Sequence, residues 1–344
     1  MAVRVRSFAK INLGLRIGAV HADGFHELRT VYQTIALHDF ITLQAKRGSG
    51  IEIQCSNPAV PCDSTNTCYR IVEKALEVLK TKVRVVISIE KKLPVQGGLG
   101  GASGNAVAAL IALQHALKRR LSGPDKLRIA AEVGSDVPLF LVGGMVLGTG
   151  RGEEVYPLPD AANLPCVIGL PEIAVSTAQA FRDWDGAPAL RAPGQPMAAV
   201  PTRAEINPKL TSSDASDRIT EFSRAVSAWL AVPQHKTGKA LSGVSAGRGG
   251  RAGNPLLDLV HTGIENDFEQ VVFPQHPELR DVKRVLEGAG AQYASLSGSG
   301  STVYGLFPSK DAAQKGAQKL EASGTPAFAT TTLPRREYWR KMFQ

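Results

Sequence analysis

Near its start the chain alternates apolar and polar positions. Val3 and Val5 stand between Ala2, Arg4 and Arg6, which predicts a first β-strand with both valines on one face. Ile41-Thr42-Leu43 and Ile51-Glu52-Ile53 repeat this period of two. Val83-Arg84-Val85-Val86-Ile87-Ser88-Ile89 is rich in β-branched residues, which suit a pleated, half-buried surface. Elsewhere the period lengthens. Tyr69, Val72, Ala75, Leu76 and Leu79 fall on one side of a helix predicted from Asn66 to Leu79. A longer apolar helix is predicted from Ala106 to Leu117, followed by Lys118-Arg119-Arg120, cations that favour the negative end of a helix dipole.

A second region begins near Leu164, where Val167-Ile168-Gly169-Leu170 reads as a buried strand. Further on, Asp217–Ala231, Asp281–Glu287 and Asp311–Glu321 read as helices and Ser301–Phe307 as a strand. From Gly186 to Asn254 the composition shifts toward Pro, Gly, Ala and Ser. Inside that stretch Thr237–Gly253 has almost no large apolar side chain, so a mobile loop is expected there, with order resuming at Pro255. The expected organisation is two domains, about 1–158 and 159–344, with a mobile insertion at about 186–254. The length of 344 residues and 43% hydrophobic content suit that division.

No stretch approaches the roughly 18 uncharged apolar residues of a membrane helix. The two early arginines have no apolar run behind them, unlike a secretory signal. Cys55, Cys62, Cys68 and Cys166 form no C-x-x-C pair and read as reduced thiols, so a cytoplasmic protein is expected, with no membrane partner. The formal net charge of +9 suits either nucleic acid or an anionic small molecule. Aromatic residues make up only 6%, too few for a stacking surface on single strands, which argues against nucleic acid.

The informative chemistry lies in Leu93-Pro94-Val95-Gln96-Gly97-Gly98-Leu99-Gly100-Gly101-Ala102-Ser103-Gly104-Asn105-Ala106, between a predicted strand and a predicted helix. Its glycines allow backbone N–H groups to converge at the positive end of a helix, a site suited to a polyphosphate. There is no G-x-x-x-x-G-K-S/T, no G-x-G-x-x-G at a strand-to-helix turn, and no H-R-D with D-F-G. The loop is therefore not that of a P-loop NTPase, a dinucleotide fold or a protein kinase.

Residues 93–106 resemble the second motif of the GHMP small-molecule kinases, and Ser297-Gly298-Ser299-Gly300 resembles their third. Ala9-Lys10-Ile11-Asn12-Leu13 resembles the first motif of one branch, the 4-diphosphocytidyl-2-C-methyl-D-erythritol kinase family. Asp23-Gly24-Phe25-His26-Glu27-Leu28, Gly134-Ser135-Asp136-Val137-Pro138, Gly148-Thr149-Gly150-Arg151-Gly152-Glu153 and Asn266-Asp267-Phe268-Glu269 also look like that branch, in the right order. Three positions depart from it. Ala102 and Gly104 stand where many relatives carry glycine and serine, and Phe25 where tyrosine is common.

The resemblance implies an α+β fold of two domains with the active site in the cleft between them. It implies ATP-dependent phosphorylation of the 2-hydroxyl of 4-diphosphocytidyl-2-C-methylerythritol, with ATP as co-substrate, Mg²⁺, a small-molecule partner bearing cytidine diphosphate, and a monomer or homodimer. Lys10 and Asp136 would be the catalytic pair. Asp136 would take the hydroxyl proton, a modest task for a weak base because a loose transition state leans on positioning and charge. Lys10 would keep Asp136 ionised and neutralise developing charge. Read alone, Asp136 also suits a helix N-cap and Lys10 a solvated strand end.

Asn12 would orient the acceptor or Lys10. Phe25 would stack on cytosine and His26 bond its polar edge, with Phe181 as the other side of the sandwich and Thr177 near the substrate phosphates; core packing is the alternative for Phe181. Pro94, Gly97, Gly98, Leu99, Gly100, Gly101, Ala102, Ser103 and Gly104 would surround ATP. Ser103 would also touch Mg²⁺, directly or through water, or else simply cap the helix. Asn66 would lie near adenine or cap the helix it opens. Gly298 and Ser299 would bring the second domain's loop against the phosphates.

Overall fold

Strand β1 (Ala2–Val20) runs far past the alternation at its start, because Ser7–Leu15 are buried on both faces. The computed structural model describes residues 2–22, 24–95, 97–186, 212–231 and 255–343. β1 is followed by β2 (His26–Lys46), β3 (Gly50–Cys55), α1 (Thr67–Val78), β4 (Arg84–Glu90), α2 (Gly101–Leu117), α3 (Gly123–Val133), α4 (Val137–Val142), β5 (Met145–Thr149) and β6 (Glu154–Pro157). These strands form one sheet in the order β3-β4-β2-β5-β6, with β1 along the other edge of β2. Only β3 and β4 pair in parallel, which the α1 crossover between them permits.

The outer edge of β1 gathers distant segments. Arg6 N–H donates to Met342 O, Lys10 N–H to Leu99 O and Leu15 N–H to Glu265 O, while Leu15 O accepts from Asp267 N–H. These bonds carry the glycine-rich segment and the 265–267 segment to the strand that holds Lys10 and Asn12.

The second half comprises β7 (Pro165–Gly169), α5 (Thr177–Gly186), α6 (Ser212–Ala231), α7 (Pro255–Val260), α8 (Glu269–Gln275), α9 (Pro277–Gly288), β8 (Tyr293–Leu296), β9 (Val303–Leu306), α10 (Lys310–Ala322), β10 (Ala327–Thr331) and α11 (Arg335–Lys341). Its antiparallel sheet has the order β10-β7-β9-β8. A buried layer joins the two halves: Ile11, Leu13 and Ile35 from the first sheet meet Ile168, Tyr304 and Leu306 from the second.

Two expectations change here. The insertion at 186–254 is not wholly a mobile stretch. α6 lies within it where the helix from Asp217 is expected and begins five residues earlier; its Phe222, Val226 and Trp229 form an apolar stripe buried in the shared layer. The loop expected at Thr237–Gly253 lies outside the described residues. The last residues, assigned with 159–344, pack instead on the first half. Leu333, Tyr338 and Met342 enter its core. Tyr338 OH donates to Phe140 O at 2.7 Å and Trp339 Nε1 to Val142 O at 3.1 Å, satisfying carbonyls at the end of α4.

Among the described residues no helix is long and apolar enough to cross a membrane. Cys68 and Cys166 are buried, which pushes both thiols well above their usual range and leaves them unreactive.

Candidate active site

The segment entering the glycine-rich turn is held by one buried carboxylate. Asp39 accepts from the N–H groups of Lys92 and Leu93, each at 2.7 Å, and pairs with Lys91 Nζ at 2.6 Å. The turn then meets the second half of the protein. Thr302 N–H donates to Gly97 O, and Ser297 Oγ donates to Gly98 O at 2.9 Å. Gly98 sits at φ +81°, and a Cβ there would lie 2.0 Å from Ser297 O. Gly100, at φ +67°, is the left-handed cap from which α2 departs.

The helix therefore starts at Gly101 and not at Ala106 as predicted. Propensity favoured the later start because Gly101 and Gly104 are poor helix formers, but tertiary packing overrides it. Ala102, Ser103 and Gly104 are first-turn residues, where the N–H groups of 101–103 have no partner within the helix and the dipole favours an anion. Alanine at 102 fits, since no positive φ is needed. Glycine at 104 fits too, because a Cβ there would lie 2.8 Å from Phe8 O and push β1 away.

Lys10 and Asn12, two apart on β1, share one face of the strand. Lys10 Nζ lies 3.3 Å from Asp136 Oδ2 and donates to Asn12 Oδ1 at 2.6 Å. Lys10 is 3% exposed, so it is not a solvated strand-end lysine. The Asn12 amide donates to Thr30 Oγ1 at 2.8 Å, and Thr30 Oγ1 donates to Gly14 O, which orients the amide oxygen toward Lys10. Asp136 occupies the N-cap position of α4, but its side chain makes no capping bond. It accepts instead from Tyr32 OH at 3.0 Å.

Burial, and after it the negative charge of Asp136, hold Tyr32 well above the usual phenol range, so it remains a donor. Tyr32→Phe keeps the ring and removes that donor. A loss of about tenfold in kcat with an unchanged ATP KM is expected from a hydrogen bond to a charged group. Steady-state kinetics at fixed pH measures it, and an ATP KM that rises with no fall in kcat would contradict it.

The second loop is fixed from behind by Asn266. Its amide donates to Leu296 O and Gly298 O, both at 2.8 Å, and its oxygen accepts from Phe268 N–H. Gly298, at φ +60°, has Asn12 Oδ1 and Lys10 Nζ within 4 Å of where a Cβ would sit. Ser299 Oγ bonds Thr177 Oγ1 at 2.7 Å.

Two cavities meet at Gly98 and Ser103. One, of about 330 Å³, is walled by Pro61, Asn66, Thr67, Pro94, Val95 and Leu99. Asn66 caps α1, accepting from Cys68 N–H, and its amide donates to Pro61 O at 2.6 Å. Thr67 Oγ1 ties α1 to the first turn of α2 through Ala102 O. The other cavity, of about 580 Å³, is lined by Lys10, Asn12, Asp136, Thr177, Gly298 and Ser299 at one end and by Phe25, His26, Phe181 and Asp185 at the other. Phe25 and Phe181 both line it, yet each already has a neighbour. The Arg151 guanidinium lies 4.5 Å from the centre of the Phe25 ring. Phe181 stacks on the His26 ring at 5.0 Å and meets Phe268 edge-on.

Sequence reasoning missed Tyr32, Thr30, Asn266, Asp39 and Asp185. Two signals were within reach. Asn266 lies within the family-like segment Asn266-Asp267-Phe268-Glu269, and Asp185 stands four residues after Phe181, on the same helix face.

The arrangement matches known proteins. The model of the GHMP kinases N terminal domain matches residues 66–144, and that of the GHMP kinases C terminal domain matches 246–325. A 4-diphosphocytidyl-2-C-methyl-D-erythritol kinase from Solibacter usitatus (strain Ellin6076) is 33% identical over 338 residues, covering 98% of this chain and 92% of that protein. A crystal structure of 4-(cytidine 5'-diphospho)-2C-methyl-D-erythritol kinase superposes with a TM-score of 0.66 at 25% identity, covering 96% of this chain and 99% of that one. Homoserine kinase from Cytophaga hutchinsonii ATCC 33406 superposes at 0.67 with 21% identity, covering 97% and 95%. The fold is thus common to kinases of several substrates, and sequence identity separates them. The chain belongs to the GHMP kinases, and within them to the 4-diphosphocytidyl-2-C-methyl-D-erythritol kinase family.

Proposed function

We propose that this protein phosphorylates the 2-hydroxyl of 4-diphosphocytidyl-2-C-methyl-D-erythritol with ATP. The observation that carries the reading is the position of Lys10 and Asp136 beside the junction of the two cavities, next to the first turn of α2. ATP occupies the smaller cavity, with adenine toward Asn66 and Pro94 and its phosphates at residues 98–103. The cytidyl substrate occupies the larger cavity, with its base toward His26, Phe25 and Phe181 and its diphosphate toward Thr177 and Ser299.

In the transfer step the acceptor oxygen bonds to the γ-phosphorus as the bridging P–O bond breaks, ADP leaves, and the hydroxyl proton passes to Asp136. Lys10 holds Asp136 as an acceptor and offsets charge developing on the oxygens. Asn12 fixes Lys10.

Among the described residues no group of three or more His, Cys, Asp or Glu is placed to hold a metal. The Ser103 hydroxyl, in the first turn of α2 where the two cavities meet, would help hold a Mg²⁺ ion bound chiefly through ATP phosphates and water. The ion, when bound, neutralises phosphate charge. Coupled ADP-release assays with the cytidyl substrate, homoserine and mevalonate test the reading. Turnover with the cytidyl substrate alone is expected, and turnover only with another acceptor would overturn it.

A further inference from the structure

Helix α6, inside the 186–254 insertion, reaches α5 through a single side chain, Arg218. Its guanidinium bonds the Asp267 carboxylate and lies 5.0 Å from the centre of the Trp184 ring. Asp267 is fully buried, pairs with Arg16 at 2.7 Å and accepts from Ile17 N–H at 2.9 Å. It therefore stays fixed to β1 with or without Arg218. Trp184 is a buried residue of α5, the helix that brings Thr177, Phe181, Arg182 and Asp185 to the larger cavity. Among the described residues none of α5 lines the smaller cavity.

We infer that Arg218 is a positioning residue for substrate binding: from α6 it holds α5 against the larger cavity. The inference rests on the proposed placement of the cytidyl substrate in that cavity, and it gives α6 a part in the reaction. The chemistry suits arginine. A flat guanidinium can donate along its edge to a carboxylate while its face lies on an aromatic ring. A lysine ammonium is a point charge without that face. The contact is also sheltered, with side chains 22% and 0% exposed for Arg218 and Asp267, so water and salt screen it less than a surface ion pair. α6 has its own seat: Ile219 lies over Gly18, and Phe222, Val226 and Trp229 fill the shared layer. It can thus act as a fixed support. Lys10 and Asp136 are held by Asn12 and Tyr32, so loss of Arg218 leaves the reacting groups in place.

The test measures CDP binding by calorimetry and steady-state kinetics with the cytidyl substrate for wild type, Arg218→Met, Arg218→Gln, Arg218→Lys and Ile219→Ala. In Arg218→Met the Kd for CDP and the KM for the cytidyl substrate are expected to rise about tenfold, on the scale of one charged hydrogen bond, with kcat and the ATP KM unchanged. Arg218→Gln keeps a neutral donor and is expected to show the same split with a smaller rise. Arg218→Lys keeps the charge and is expected to recover part of the loss. Ile219→Ala is the control: it loosens α6 over Gly18, and is expected to lower the denaturant midpoint and leave CDP binding unchanged. Wild-type CDP affinity in Arg218→Met, or in Arg218→Gln should the methionine variant not fold, would overturn the inference. So would an equal rise in Ile219→Ala, which would make the effect a general loosening of α6, or a matching change in kcat or the ATP KM. In each of these cases the substrate reading stands. Wild type that fails to bind CDP would overturn both.

Discussion

Asp136→Asn is expected to lower kcat by about 10²- to 10⁴-fold, the range that a positioned acid–base group contributes. The asparagine oxygen can still accept from Lys10 Nζ, which lies 3.3 Å from Oδ2, while the amide nitrogen takes the place of Oδ1, 3.0 Å from the Tyr32 oxygen, and can donate to it, so the side chain keeps its place. What disappears is the negative charge and the capacity to take a proton. Affinity for ATP should change little, because Asp136 borders the larger cavity and not the smaller one. Single-turnover and steady-state ADP release, alongside calorimetric ATP binding, separate the two effects. A rate within a few-fold of wild type would remove Asp136 from the chemistry.

Gly98→Ala should damage both stability and ATP binding. At φ +81° an alanine costs roughly 1–2 kcal/mol of backbone strain. Its methyl would also lie 2.0 Å from Ser297 O and 3.0 Å from the Ser297 carbonyl carbon, atoms of a backbone that cannot rotate away. Relief requires the two glycine loops to separate, which breaks the Ser297 Oγ to Gly98 O bond and spreads the first turn of α2 away from its partner loop. Adding overpacking of about 1–3 kcal/mol gives a total loss of about 2–5 kcal/mol. The ATP KM is expected to rise at least about tenfold, on the scale of one or two lost hydrogen bonds. Gly290→Ala is the control, since Gly290 has φ +95° but no atom within 4 Å of the added methyl. It should show the strain alone and leave the ATP KM untouched. If the two variants unfold at the same denaturant concentration, the close approach at Gly98 has no energetic weight.

Local pattern carried much of the architecture. Period-two alternation located parts of β1, β2 and β3, and helical spacing located α1 and α9, because each of these elements buries one face and exposes the other. It failed where both faces are covered. The middle of β1 and the first turn of α2 look irregular in one dimension because their partners come from residues 97–99, 265–267 and 297–302. Inside 186–254 the sequence pattern located the body of α6, whose apolar stripe of Phe222, Val226 and Trp229 lies in the shared layer.

The chemistry divides in the same way. The order of residue types along the chain determined the family, the phosphate-binding turn and the identities of Lys10 and Asp136, since a glycine-rich turn before a helix and a set of ordered motifs are properties of a string. Only the tertiary structure decided that Asp136 leaves its helix uncapped to meet Lys10 and Tyr32, that Asn66 caps α1 through its side-chain oxygen, and that Asp185 faces His26. Those outcomes depend on distances between residues up to 159 positions apart in sequence. Hydrogen bonds act over about 3 Å in space, and no local pattern records which distant groups the packing of two sheets will bring within that reach.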